Sequence, residues 1–291
     1  MEIMNHCLSD NNQRIIEILE ASGIDYIPFR RNEIIFDISS EHKSFAELEE
    51  IAQEFMVVLS YYKFSDEEMD AAEWFTMRST NNKLENVLEE KTFEYSCKYT
   101  RRIDVWAKVK TNGSLFVPED VDFYGHEIQV APYYFSKKIK WGRNFFYSVL
   151  GHKQECFCND VAKNIITNNG LKGASFLPPI RKQTNEPMED AYQFVVDNVL
   201  PESSCEVVGY DDIYYCPVCG KKKYYIGSLA RLSVNKDVLD GQDFYVTAPI
   251  FTNAGETGIP YPLYIISHRA YEVFKANGFT RTLEIFPLLT V

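Results

Sequence analysis

Two stretches of this 291-residue chain repeat one another, and that repetition restricts the fold more than any other feature. Cys158–Ile180 lies over Ile266–Leu288 without a gap, 108 positions apart. Asn169-Gly170 falls on Asn277-Gly278, Ala162 on Ala270 and Pro179 on Pro287. Apolar residues coincide too: Ile165 with Val273, Ile166 with Phe274, Leu171 with Phe279, Leu177 with Ile285. Each copy reads as a helix closed by Asn-Gly, a short connection, and a strand ending near proline. Glycine there supplies the left-handed cap at no steric cost. Upstream, Gly142-Arg143-Asn144-Phe145 recurs as Gly241-Gln242-Asp243-Phe244, now 99 positions apart, which places an insertion at Asn253–Pro262. Units of this size exceed solenoid repeats, so two packed half-domains are expected. Repeat one runs over about 92–182 and repeat two over about 205–291. Pro178–Pro201 joins them and carries a short helix over Glu189–Val196.

The sharpest chemical motif is Cys216-Pro217-Val218-Cys219-Gly220, between the tyrosine-rich runs Ile213-Tyr214-Tyr215 and Lys223-Tyr224-Tyr225-Ile226. Two thiolates on a tight turn, with glycine just beyond, make half of a tetrahedral zinc site. Cys97 with Cys205 or a histidine would complete it. The corresponding knuckle of repeat one would be Cys97-Lys98-Tyr99-Thr100, where Thr100 cannot replace a thiolate. One zinc ion, or no cofactor and a turn held by its strands, both fit these residues. A redox C-x-x-C would open a helix, whereas the residues after Gly220 read as a strand. Seven cysteines without framework spacing indicate reduced thiols rather than a disulfide scaffold. Cys156 and Cys158 lie near His152, but Cys158 aligns with Ile266 and reads as a small core residue. Ser267-His268 sits at a helix start, an ordinary N-cap place for serine. No G-x-S-x-G, H-E-x-x-H or Gly-rich phosphate loop occurs, and no enzyme is expected.

Charge separates the chain into two parts. Residues 1–90 hold 20 Asp/Glu against 7 Lys/Arg; residues 91–291 hold 22 against 23. The first part reads as a small α+β domain. A helix over Asn11–Ala21 stops at Gly23, and strands follow at Asp25–Phe29 and Glu33–Ile38. Ser44 with Glu47 forms a capping box, and Met56–Phe64 is a buried strand. Ser65-Asp66-Glu67-Glu68 opens another helix carrying Met69, Ala72, Trp74 and Phe75, and Thr80–Lys91 links to the rest. The excess negative charge repels nucleic acid and favours a basic protein; a solvated surface that aids solubility is the alternative reading. The candidate contact residues are Glu47, Glu49, Glu50, Glu54, Asp66, Glu67, Glu68 and Asp70. Lys137-Lys138-Ile139-Lys140-Trp141 with Arg143, and Lys221–Lys223, form basic patches in an otherwise near-neutral part. The 19 tyrosines and 20 phenylalanines suit both β-rich cores and an interface. No apolar run reaches the roughly 18–20 residues that span a bilayer. The N-terminus has neither a basic nor an apolar leader region. A cytoplasmic protein is expected.

These features resemble the double-CXXCG motif family, which includes Sit-type immunity proteins of bacterial polymorphic toxin systems. The resemblance rests on Cys216-Pro217-Val218-Cys219-Gly220, Asp243-Phe244-Tyr245, and Ile266-Ser267-His268-Arg269-Ala270-Tyr271 running into Gly278 and Phe286-Pro287. It covers residues 92–291, better in the second half, and departs at Thr100. It implies a cytoplasmic protein that neutralises a toxin by binding, without catalysis. A zinc-ribbon adaptor or nucleic-acid-associated protein, and a thiol–disulfide redox protein using Cys216 and Cys219, are the alternatives. The expected fold is α+β: a small acidic α+β domain over 1–90, then a duplicated strand-rich α+β module over 91–291 carrying the C-x-x-C-G knuckle.

Overall fold

Alternate burial of Ile34, Phe36 and Ile38 along one short run is the signature of a strand with one face on a core. That strand is central to the first of two units in the computed structural model. It describes residues 1–30, 32–52, 55–80, 82–84, 93–95, 98–102, 120–124, 127–149, 152–208, 213–215, 220, 222–225, 231–248, 251–252 and 261–291. The described residues divide at Ala71/Ala72. The first unit runs β1 (Glu2–Asp10), α1 (Gln13–Ala21), β2 (Tyr26–Pro28), β3 (Glu33–Ser39), α2 (Lys43–Ile51), β4 (Phe55–Lys63) and α3 (Asp66–Ala71). Its sheet has the order β2-β3-β1-β4 with every neighbour antiparallel, the split β-α-β arrangement. Ile15 and Leu19 of α1 and Leu48 of α2 pack with Cys7, Ile34, Phe36 and Ile38, so the helices' buried stripes and one sheet face share a core.

The helix ends follow local chemistry. Asn12 Oδ1 accepts from the Ile15 N–H at 3.0 Å, and Gly23 turns the chain at φ +68°. Helix α2 corrects one expectation: its N-cap is His42, whose Nδ1 accepts from the Ser44 N–H at 3.2 Å. Ser44 is buried, its hydroxyl 2.9 Å from that of Ser22, so it is not free to cap. The capping box of α3 forms as read: the Glu68 N–H donates to Ser65 Oγ, and the Ser65 N–H donates to Glu68 Oε2. That helix nevertheless stops at Ala71. Strand β4 is not buried along its length, since Met56 is more than half exposed.

The larger unit begins with β5 (Trp74–Ser79) and β6 (Asn82–Leu84), followed by β7 (Phe93–Tyr95), β8 (Lys98–Arg102), β9 (Asp120–Tyr124), β10 (Glu127–Gln129) and β11 (Tyr134–Phe135). Next come β12 (Phe146–Val149), β13 (His152–Cys158), α4 (Asp160–Asn168), β14 (Ala174–Leu177), β15 (Ile180–Arg181), β16 (Glu186–Pro187), β17 (Tyr192–Val196) and β18 (Val199–Leu200). The last part holds β19 (Cys205–Val208), β20 (Ile213–Tyr215), β21 (Lys222–Tyr225), β22 (Arg231–Val234), β23 (Phe244–Thr247) and β24 (Phe251–Thr252). It closes with β25 (Tyr264–Ser267), α5 (His268–Ala276), β26 (Leu283–Pro287) and β27 (Leu289–Thr290). The two units together make an α+β protein.

Two five-stranded sheets dominate this unit, and they share one plan. From one edge their orders are β6-β12-β13-β17-β14 and β18-β23-β25-β5-β26. Each has a parallel edge strand, an antiparallel pair, a strand from elsewhere in the chain, and the strand that follows the helix. The registers agree residue by residue. Phe146, Tyr147 and Ser148 face Cys158, Phe157 and Cys156; Phe244, Tyr245 and Val246 face Ile266, Ile265 and Tyr264. The third strands agree as well: Phe157 faces Gln193 and Phe176 faces Phe194, as Ile265 faces Thr76 and Ile285 faces Met77. Thus β5 sits inside the later sheet and β17 inside the earlier one.

This arrangement corrects four readings. The first domain ends near Ala71 rather than at 90, because Trp74–Ser79 is paired on both sides within the larger unit. Trp74 and Phe75 are strand residues, with Phe75, Met77 and Ser79 alternately buried. Tyr192–Val196 is a central strand rather than a helix, as its aromatic and β-branched content favours. The alignment slips by one: the register sets Phe176, not Leu177, against Ile285, and Phe146, not Phe145, against Phe244. The helices match as read. Asn159 and Ser267 are their N-caps, and Gly170 and Gly278 turn at φ +61° and +71°. Phe194 lies 6.4 Å from Phe146 and 5.2 Å from Phe244, and so packs against residues of both sheets.

Candidate partner-binding surface

The acidic residues occupy two places on the first unit. Glu47, Glu49 and Glu50 are exposed on α2. Asp66, Glu67 and Asp70 are exposed and Glu68 half-buried on α3. Strand β4 separates the two groups, receiving the chain after α2 and delivering it to α3 nine residues later. A strand that long spans roughly 30 Å. The seven described residues therefore fall into two groups; Glu54 lies outside the described residues. On α3, the Glu67 backbone N–H and then the Ser65 hydroxyl hold the Glu67 carboxyl below the usual range.

Cys216, Cys219 and Cys97 lie outside the described residues, but the strands around them are placed. Tyr215 pairs with Lys222 in the antiparallel β20–β21 ladder, so the C-x-x-C-G segment joins the two arms of a hairpin. Gly220 has φ +71°, the conformation that a knuckle glycine supplies. Lys98, Tyr99 and Thr100 instead lie in β8, paired with Tyr124, Phe123 and Asp122. Extended pairing there differs from a tight turn. Cys205 packs with Tyr224, Leu232 and Val234. No group of three or more His, Cys, Asp or Glu side chains able to hold a metal occurs among the described residues.

The thiols that are placed belong to the cores. Cys7, Cys156, Cys158 and Cys205 are buried, and burial is the first cause raising each pKa, Cys7 to about 12. Thiols held neutral at physiological pH are poor nucleophiles. The Ser267 hydroxyl accepts from the Ala270 N–H at 3.1 Å, the capping role its position suggests. Lys137, Lys138, Lys140 and Arg143 are exposed, Lys221 lies outside the described residues, and other members of the basic patches are engaged within the fold. Trp141 stacks on Tyr147 with centroids 5.2 Å apart and donates its indole N–H to the Asp190 carbonyl, while Lys138 pairs with Asp190. Lys223 is buried, and Lys222 lies over the Tyr224 ring.

One polar centre escaped the sequence reading. Asp243 is 6% exposed. Its carboxylate accepts from the Lys172 N–H and Ser267 Oγ, each at 2.8 Å, and from Arg269 Nη1 at 3.1 Å. Arg269 also donates to the Asn169 and Gly170 carbonyls at the end of α4. The centre thus ties the end of one helix to the start of the other. Its signal was in view, because Asp243, Ser267 and Arg269 all fall within the motifs quoted for the resemblance.

No helix among the described residues is long and apolar enough to cross a membrane. The chain matches no protein-family model, no curated protein and no solved structure.

Proposed function

We propose that this chain is a non-enzymatic binding protein of the bacterial cytoplasm, most concretely an immunity protein that neutralises a toxin domain by binding it. The supporting observation is charge. Residues 1–71 hold 16 Asp/Glu against 5 Lys/Arg, and six of the eight candidate carboxylates are exposed on α2 and α3. Such a field attracts a basic protein, speeds its encounter and repels nucleic acid. The test is affinity capture of the tagged chain from its host, followed by titration of what is captured. A basic protein bound near 1:1, weakening as salt rises, supports the reading. Captured nucleic acid, or no protein partner, sinks it.

The hairpin around the C-x-x-C-G segment favours a second reading, a zinc-knuckle adaptor. Cys216 and Cys219 would supply two thiolates. Metal analysis of the purified chain decides it. About one zinc per chain, lost in Cys216→Ser, supports the knuckle; a metal-free chain with unchanged folding removes it.

A further inference from the structure

Helices α1 and α2 both pack on the face of the first unit's sheet that carries Cys7, Ile34, Phe36 and Ile38. The pairing of that sheet places Ile27, Ile35, Leu8 and Met56 side by side across all four strands, on the face opposite the buried Ile34 and Phe36. Ile27 is 69% exposed and Met56 54%, with Ile35 and Leu8 half-buried between them. Phe29, 52% exposed, follows Ile27 in the chain, with the Arg30 guanidinium over its ring at 5.1 Å. Contiguous apolar surface of this kind marks an interaction site, whereas isolated exposed residues do not.

Carboxylates border the row on both sides. Asp10 faces Glu33 on one flank, where Arg30 pairs with Glu33 at 3.6 Å, and His6 faces Asp37 on the other, its Nδ1 2.8 Å from Asp37 Oδ1. Burial and then the Asp37 charge raise the Tyr61 pKa. A second copy would bring an equally acidic unit against this face, and like charge opposes that pairing.

We propose that this open face docks a basic segment of another protein, whose apolar side chains cover Ile27, Leu8 and Met56 while its lysines or arginines meet Asp37. The inference rests on the basic-partner reading and relocates the contact from the α2 and α3 carboxylates to the sheet. Apolar anchors ringed by polar groups are the arrangement that concentrates binding energy at interfaces.

Two amphipathic peptides of equal length, one of Leu and Lys and one of Leu and Glu, serve as probes in anisotropy titrations against the full chain. The Leu-Lys peptide is expected to bind and the Leu-Glu peptide not. In Ile27→Asp/Met56→Asp, affinity for the Leu-Lys peptide should fall at least tenfold. Those changes add negative charge, so a loss reports the apolar row alone. Ile27→Asp by itself, at the more exposed site, gives a milder variant with a smaller loss in the same direction. Undiminished binding by the double variant, with loss in Glu47→Lys/Glu49→Lys/Glu50→Lys, overturns the docking face while sparing the basic-partner reading. Equal binding of both peptides, or a wild-type dimer in sedimentation that the double variant abolishes, overturns the proposal. Failure of the Leu-Lys peptide to bind the wild-type chain overturns it too.

Discussion

At the start of β12, the residue before the buried Phe146 is Phe145, whose ring lies 4.9 Å from that of Phe279. At the start of β23, the residue before the buried Phe244 is Asp243, which gathers Lys172, Ser267 and Arg269. The two positions correspond in register, and each reaches the turn beyond the other half's helix. One junction is an aromatic contact and the other a charge-assisted hydrogen-bond centre. Strand register is the same on both sides, so the junction chemistry does not set it. What both halves share is the buried pairing around Phe157 and Ile265, and a one-residue slip there would turn the core side chains outward. The junctions are free to differ; the ladders are not.

The largest test concerns β5, which sits inside a sheet built otherwise from the last hundred residues. A fragment covering 80–291 lacks β5 but keeps β6 and should fail to unfold cooperatively in urea, whereas 72–291 should retain a single transition. Equal behaviour of the two fragments would break the picture of a sheet completed by β5. Phe194→Ala comes next, with an expected loss of about 3–5 kcal/mol, because truncating a buried ring removes contacts and leaves a cavity. A loss under about 1 kcal/mol would mean that the ring is not shared by both halves.

Smaller effects sharpen the contrast between the junctions. Asp243→Ala should cost roughly 1.5–3 kcal/mol, since hydrogen bonds to a charged group are lost and the Lys172 N–H is left without its carboxylate. Phe145→Ala, at a half-buried ring with no polar group to strand, should cost less, and denaturant midpoints rank the two directly. The smallest test uses the helix ends, where Asn169 Nδ2 donates to the Ile165 carbonyl and Asn277 Nδ2 to the Val273 carbonyl, both at 2.8 Å. Alanine at either should cost about 0.5–1 kcal/mol, and by the same amount. Unequal losses would limit the likeness of the halves to their strands.

Much of this plan was legible in the residues. Asn-Gly marked both helix ends, Ser267 its N-cap, and Ser65 with Glu68 a capping box, because these signals act within a single turn of chain. Strands whose partners are distant were harder to read. Trp74-Phe75 follows a helix without a break in polarity and becomes a strand only because β25 and β26 flank it. Tyr192–Val196 was misread for the same reason. Strand β1 was missed: it buries Asn5, Cys7 and Ser9, and polar residues on the core side hide the alternation. Asn5 is tolerated there because it bonds to Ser40 and Ser60. The acidic residues were legible as a charge but not as a place, since neighbours in sequence are separated by the length of β4.

The position of β5 also bears on how the chain is made. Thr76 donates to the Phe286 carbonyl, a partner 210 residues further on. At roughly 5–20 residues per second, synthesis leaves β5 waiting on the order of ten to forty seconds for the strands that flank it. During that interval Phe75 and Met77, later sealed in a sheet, have no neighbours to cover them. The interval in which these side chains lack their partners is thus set by the ribosome, before the finished molecule exists.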